Sequence, residues 1–272
     1  MRVRNHRLLD DDDNPVHFQR SPNQSGVIQP RYLVLHFTAG RDMDSSVAWF
    51  SRRDAKASAH LVIGRDGRIT QMVAFNRKAW HAGRSQWEGI SGLNAHSIGI
   101  EIDNRGKLDR RADGWGPWFD PEHTEPPETV FEAAHPNGGP VCGWQRYTQA
   151  QIGATIRASQ ALVAKYGLID VLGHEDIAPG RKSDPGPAFP TQSLRAMLTG
   201  RDDDEPVPWL TTAVLNIRGG PGGEHATLDA SPLPVDTACT ELDRRGDWRF
   251  VEAQLPGGEL KGWVHGYYLR RA

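Results

Sequence analysis

Residues 173–187 read Gly-His-Glu-Asp-Ile-Ala-Pro-Gly-Arg-Lys-Ser-Asp-Pro-Gly-Pro. His174 offers an imidazole, Asp184 a carboxylate, and Lys182 a cation two residues before that carboxylate. Pro179, Gly180, Pro185, Gly186 and Pro187 exclude a continuous helix, so the stretch is a structured loop. A stiff loop aims donor groups at one point with little entropy left to lose, as a metal site requires. Catalytic zinc keeps three protein ligands and one open position. His174 and Asp184 supply two of them. The third is expected from a distant strand, because one loop rarely encloses a tetrahedron. His36 is the candidate, since it follows the apolar run Tyr32-Leu33-Val34-Leu35 and precedes Phe37-Thr38-Ala39-Gly40. A lone histidine is more often a hydrogen-bonded structural residue; the expectation rests on the three groups together.

A second apolar run, Ser97-Ile98-Gly99-Ile100-Glu101-Ile102-Asp103, alternates with the period of a strand. The isoleucines face one way and Gly99, Glu101 and Asp103 the other. Glu101 is thus presented from a rigid element among isoleucines, where desolvation raises a carboxyl pKa toward the value a general base needs.

These residues carry a resemblance. Leu35-His36-Phe-Thr-Ala-Gly, Ala59-His60-Leu-Val-Ile-Gly-Arg-Asp-Gly, Trp80-His81-Ala-Gly, Asn94-Ala-His-Ser-Ile-Gly-Ile-Glu101 and Gly173-His174 through Lys182-Ser-Asp184-Pro-Gly-Pro resemble the type 2 zinc N-acetylmuramoyl-L-alanine amidases, relatives of peptidoglycan recognition proteins. The match spans about residues 25–199. It implies zinc held by His36, His174 and Asp184, Glu101 as base, and Lys182 as the stabiliser of an oxyanion. It also makes Trp80, His81, Asn94 and Arg181 candidates for substrate contact. Some members assist catalysis with a tyrosine at the position of Ala59, a role that here falls to Glu101. The implied substrate is peptidoglycan or a muropeptide. The competing reading is a non-catalytic binder of wall fragments; such proteins lack one or more zinc ligands, whereas all three are present here.

The surrounding elements are those of an α/β domain with a central mixed sheet flanked by helices. Residues 60–63 and 68–73 flank Arg65-Asp66-Gly67 as a hairpin. Asp44 or Ser45 is expected to cap a short helix. Thr148 and Gln151 form a capping box that opens a long amphipathic helix with Ile152, Ile156, Leu162, Val163 and Tyr166 on its apolar face, ending at Gly167. Residues 169–172 are a strand that delivers His174, and residues 193–198 a last helix. The catalytic domain is read as residues 1–200. Within it, residues 1–30 form an extended arm with an acidic turn at Asp10 to Asp13, and residues 104–146 an insertion. That insertion is too long for an ordinary connection. Its Trp115, Trp118 and Trp144 suggest a groove wall able to stack on sugar rings. Residues 201–209 read as a charged, proline-bearing linker. Residues 210–272 read as short strands between Gly and Pro turns, a small all-β barrel. This part resembles bacterial SH3-like domains through Leu215 to Pro221 and Gly262-Trp263-Val264, which implies a cell-wall ligand.

Composition narrows the classes. The chain has 272 residues, formal charge −2, and only two cysteines, Cys142 and Cys239. Without a basic footprint a nucleic-acid partner is not expected, nor is a membrane span. Cysteines so few and far apart are read as free thiols. The first ten residues lack the apolar core of a secretory signal. The expectation is a chain left in the cytoplasm as synthesised, or exported by another route as a phage lysis protein or an effector. An effector would need an immunity protein in its producer.

Overall fold

The computed structural model describes residues 1–199 and 207–271. The described chain separates into two units. One runs to Ser85 and resumes from Gly92 to the helix Thr191–Thr199; the other joins residues 86–91 to the chain from Val207 onward.

In the first unit the apolar runs become neighbouring strands. A six-stranded mixed sheet has the order Asp170–Gly173, Tyr32–Phe37, Ser97–Ile102, Leu61–Ile63, Ile69–Gln71, His17–Phe18. The first four are mutually parallel, and Ile69–Gln71 runs antiparallel to Leu61–Ile63. Register sets the chemistry: Glu101 lies opposite His36, and Gly173 opposite Leu35. The C-terminal ends of three adjacent parallel strands therefore deliver His36, Glu101 and His174 at one level, where open α/β sheets commonly bind ligands.

Side chains alternate across the strands. Leu33, Leu35, Ile98, Ile100 and Ile102 share one buried cluster with Ala154, Ala158 and Leu162 of the helix Gln149–Tyr166. The capping box forms as expected: Gln151 N–H donates to Thr148 Oγ1 at 3.1 Å and Thr148 N–H to Gln151 Oε1 at 3.0 Å. Gly167 closes the helix at φ 61°. The most buried stripe of that helix differs from the expected one. Alanines and Leu162 meet the sheet, while Ile152, Ile156, Val163 and Tyr166 are only partly buried, because small side chains let the helix backbone approach the strands. On the opposite face the helix Met43–Phe50 packs Met43 and Phe50 against Val62 and Met72. Its cap is Asp42, not Asp44 or Ser45; Ser45 is the third helical residue and completes the box with Asp42.

The N-terminal residues do not form an extended arm. Arg2–Arg4 pairs with Arg7–Leu9 as a hairpin, Leu8 is fully buried, and His17–Phe18 takes the edge of the main sheet. Asn5 and His6 adopt positive φ to make the turn. Without a glycine, that turn was hard to read from sequence.

The insertion has elements of its own: Asp109–Arg110 pairs with Trp115–Gly116, and Val130–Ala133 with Cys142–Gln145. Trp144 is buried, its ring against Gly186, where an added Cβ would come within 2.9 Å of it. His135 Nε2 meets Glu175 Oε2 at 2.7 Å. The insertion thus braces residues 173–187 from below.

In the second unit five antiparallel strands are ordered Gly258–His265, Trp248–Leu255, Ala238–Arg245, Val207–Thr211, Leu269–Arg271. They cover a core of Trp209, Leu215, Ile217, Leu233, Val251 and Val264. Two boundaries differ from the sequence reading. Residues 207–209 of the expected linker belong to a strand, its remainder 201–206 lying outside the described residues. Residues 86–91, expected in the first domain, group with the second unit, where Arg244 lies 4.9 Å over the Trp87 ring. Residues 212–222 form no strand of their own and pair only through isolated bridges at Leu215 and Arg218. Gly219, Gly220, Pro221 and Gly222 cannot sustain a ladder. Cys142 and Cys239 are both free and buried. Among the described residues no helix is long and apolar enough to cross a membrane.

Trp144→Ala is expected to lower unfolding stability by about 3–5 kcal/mol, the usual cost of emptying an indole-sized site, read from urea denaturation. A loss below about 1 kcal/mol would show that the insertion does not brace the loop.

Candidate active site

His36 ends its strand, His174 opens the short helix His174–Ile177, and Asp184 sits in the loop that follows. The loop is tied at several points. Glu175 N–H donates to Asp184 O at 2.9 Å, Lys182 N–H to Ala178 O at 3.0 Å, Gly186 N–H to Glu175 Oε2 at 3.0 Å, and the Tyr147 hydroxyl to Pro185 O at 2.8 Å. This fixes the Asp184 carboxylate without a regular element.

Three donor atoms meet. His36 Nδ1 lies 2.9 Å from His174 Nδ1 and 2.8 Å from Asp184 Oδ2, and His174 Nδ1 lies 2.9 Å from Asp184 Oδ2. All three side chains are buried.

Hydrogen-bond partners determine what the ring nitrogens present. The single Ser97 hydroxyl proton goes to Leu93 O at 2.6 Å, so Ser97 Oγ accepts from His81 Nε2 at 3.3 Å. That leaves His81 Nδ1 as an acceptor for the Nε2–H of His36 at 3.0 Å, and His36 Nδ1 then carries a lone pair. On the other side Arg181 Nη2 donates to Ala82 O at 3.1 Å and Arg84 O at 2.6 Å. His174 Nε2 also faces Ala82 O, at 3.1 Å. A carbonyl only accepts, so this contact selects the His174 tautomer with its proton on Nε2, which turns the Nδ1 lone pair inward. Burial, with further contributions from neighbouring charges, pushes His36 down to about 4, so its ring is unprotonated near neutrality.

Three acceptors therefore face one another with no proton to share, an arrangement that a cation relieves. Two imidazoles and a carboxylate are a donor set that zinc accepts. A tetrahedral ion with bonds of about 2.0–2.1 Å separates its donors by about 3.3 Å, so the observed triangle needs only slight widening. Among the described residues this is the one cluster of His, Cys, Asp and Glu that could hold a metal.

The trio lies in a cavity of about 520 Å³ that is also lined by Glu101, Lys182, Trp49, Trp80 and Trp118. Glu101 is 9% exposed, and its Oε2 has no hydrogen-bond partner. Burial raises its carboxyl well above the usual range, the Asp184 charge adds to this, and Lys182 opposes it. The carboxylate is thus a strong proton acceptor beside the donor triangle, not a solvated strand-face group.

The four residues expected to touch substrate fare differently. Trp80 lines the cavity, its Nε1–H held by Ser25 Oγ at 3.2 Å. His81 lies beneath His36 with both ring nitrogens engaged. Asn94 Oδ1 accepts the backbone N–H of His81 at 2.9 Å and of Ala82 at 2.7 Å, shaping the loop that holds these rings. Arg181 clamps the same loop through its two carbonyl contacts. Of the insertion's three tryptophans only Trp118 reaches the cavity; Trp144 is core, and Trp115 bonds Glu132. Two contributors escaped the sequence reading. Trp49 projects from the helix Met43–Phe50, and nothing in its apolar surroundings set it apart. Gly99 makes room for His81, since a Cβ there would fall 2.4 Å from a ring carbon; a glycine inside a strand was the available signal.

A family model described as N-acetylmuramoyl-L-alanine amidase matches residues 26–187, a span that contains the donor trio, Glu101 and Lys182. The chain belongs to the N-acetylmuramoyl-L-alanine amidase family. The amidase AmiD of Escherichia coli is 34% identical over 223 residues, covering 79% of this chain and 67% of its own length. The 1,6-anhydro-N-acetylmuramyl-L-alanine amidase AmpD of Enterobacter cloacae is 33% identical, covering 62% of this chain and 72% of its own. A solved structure of the E. coli amidase AmiD with anhydro-N-acetylmuramic acid-L-Ala-D-gamma-Glu-L-Lys aligns at 31% identity and TM-score 0.47, over 68% of this chain and 63% of that one. The amidase match ends at residue 187 and leaves the strands from Val207 onward outside it.

His81→Asn keeps an acceptor near the place of Nδ1, and His81→Leu removes it. In competition with a chelating dye the first is expected to hold zinc close to wild-type affinity and the second about 10–100-fold more weakly, as loss of an outer hydrogen-bond partner does. Equal affinities for wild type and His81→Leu would contradict the hydrogen-bond relay.

Proposed function

We propose that this N-acetylmuramoyl-L-alanine amidase hydrolyses the amide between the lactyl group of N-acetylmuramic acid and L-alanine with zinc held by His36, His174 and Asp184. The observation that carries the reading is the convergence of three acceptors, 2.8–2.9 Å apart, beside the unpartnered Oε2 of Glu101. Bound zinc would supply Lewis acidity, polarising a carbonyl and making water acidic near neutral pH.

The protein's own groups do the rest. Glu101 takes a proton from the attacking water as the water oxygen adds to the lactyl carbonyl carbon. Burial has made this carboxylate basic enough for that transfer. The resulting oxyanion faces the Lys182 ammonium, which lines the same cavity. Glu101 then gives its proton to the alanine nitrogen as the carbon–nitrogen bond breaks. The products are a lactyl carboxylate on the sugar and a peptide with a free amino terminus. A fragment-binding receptor would have no use for a raised, unpartnered carboxyl beside the donors.

The second unit is proposed to be an SH3-like wall-binding domain. Its five-stranded antiparallel sheet and the Gly262-Trp263-Val264 strand support this, as does a surface cavity of about 400 Å³ lined by Trp248, His265, Tyr267 and Tyr268.

Glu101→Gln is expected to keep zinc and lower kcat about 10²–10⁴-fold. Lys182→Ala should lower it about 10²–10³-fold. Amine release from a muramoyl peptide, with zinc content read by atomic absorption, checks both. A Glu101→Gln protein that turns over at the wild-type rate would overturn the assignment of the base. Co-sedimentation of the full chain with purified peptidoglycan should weaken in the double variant Tyr267→Ala, Tyr268→Ala; unchanged sedimentation would reject that cavity as the wall contact.

A further inference from the structure

Two large indoles are left on the rim of the reaction cavity with no use in the chemistry above. Trp118 is 63% exposed and Trp49 47% exposed, yet both line the cavity that holds the donor trio. Solvent-exposed tryptophans at a cleft are unusual unless something covers them. They come from separate elements: Trp49 from the helix Met43–Phe50, Trp118 from the insertion. Trp118 is not loose, because its Nε1–H donates to Ala39 O at 3.1 Å and Phe119 packs edge-on at 5.7 Å. The ring is held in place with its polar edge satisfied and much of its surface open.

Among the described residues, the charge set against these rings, the Arg52 guanidinium 5.2 Å over the Trp49 ring, is balanced by its ion pair with Asp54. Thr38, Ser45 and Ser46 line the same cavity and offer hydroxyls. The lysines lie elsewhere. Lys182 belongs with Glu101 on the reacting side, and a neighbouring cavity that shares Trp80 with the first is lined by Lys56 and Lys78. The scissile amide separates two chemically different halves, an uncharged N-acetyl sugar and a peptide bearing carboxylates. Charge complementarity sends the peptide toward Lys56 and Lys78 and the sugar toward the aromatic wall, where the Arg52 charge is already paired with Asp54. The muramyl ring must sit close to the buried donors, where its lactyl carbonyl is attacked. Rings at the exposed rim therefore meet what extends beyond it.

We propose that Trp49 and Trp118 form an aromatic subsite for the next N-acetylhexosamine of a glycan chain, so that the amidase prefers muramoyl peptides on an oligosaccharide over those on a single sugar. The inference rests on the amidase reading of the same cavity. Sugar rings present flat C–H faces, and indoles supply a large rigid surface at low entropy cost while the sugar hydroxyls stay hydrated.

The test compares two soluble substrates with the same peptide, a muramoyl monosaccharide and a tetrasaccharide of alternating N-acetylglucosamine and N-acetylmuramic acid. The wild-type protein should show a kcat/KM about tenfold higher on the tetrasaccharide, carried by KM. In Trp118→Ala that ratio should collapse toward unity, with partial return in Trp118→Phe. Equal kcat/KM on both substrates in the wild type, or a Trp118→Ala loss that is the same on both, would overturn the subsite. Calorimetry with the peptide-free tetrasaccharide reads the subsite without turnover: Trp118-dependent binding supports it, and absent binding overturns it. Should neither substrate be hydrolysed while that binding persists, the amidase mechanism fails and the glycan subsite stands.

Discussion

Three hydrogen-bond acceptors held within 2.9 Å of one another are the constraint on which the rest depends. Left alone they repel. Burial in a low-dielectric pocket removes the water that would separate them and makes the conflict costly. A protein keeps such an arrangement when a cation resolves it. The conflict is arranged through hydrogen bonds outside the triangle: Leu93 O takes the Ser97 proton, Ser97 takes the His81 proton, and His81 takes the Nε2–H of His36. A backbone carbonyl at one end of this relay thereby sets which nitrogen of His36 is free at the other. Gly99 leaves the relay room, because any side chain there would displace the His81 ring.

The sheet supplies the placement. Parallel strands in register bring His36 level with Glu101 and bring His174 one step past Gly173. The donors and the proposed base are thus set by backbone hydrogen bonds, and the hydrophobic faces of the same strands hold that register. Asp184 lacks a strand, and the chain compensates with a braced loop. Trp144 lies under Gly186, His135 grips Glu175, and Tyr147 binds Pro185 O. The insertion therefore serves the site from two directions, through Trp144 beneath the loop and Trp118 at the cavity rim.

Much of this was legible in the sequence because it is local or periodic. The alternation Ile98-Gly99-Ile100-Glu101, the Thr148–Gln151 box and the Asp66-Gly67 turn each encode their conformation within a few residues. The donor trio was legible because the residue types are chemically scarce and lie on recognisable elements. What escaped depends on long-range packing. The inner stripe of the helix Gln149–Tyr166 is alanine because the sheet is close, which no helical period reveals. The turn at Asn5 and His6 uses positive φ without glycine. The inward role of His81 depends on Ser97 and Leu93, both distant in sequence, so a loop motif alone suggested substrate contact. Trp115, Trp118 and Trp144 look alike in sequence and separate only when the insertion folds, one half-buried, one at the cavity, one in the core.

Zinc titration into the metal-stripped protein, followed by hydrolysis of a muramoyl peptide, tests the central claim most directly. The account predicts no turnover at the start and a rise that levels near about one ion per chain, as a single three-ligand site requires. A stripped protein that cleaves the amide at full rate would contradict it.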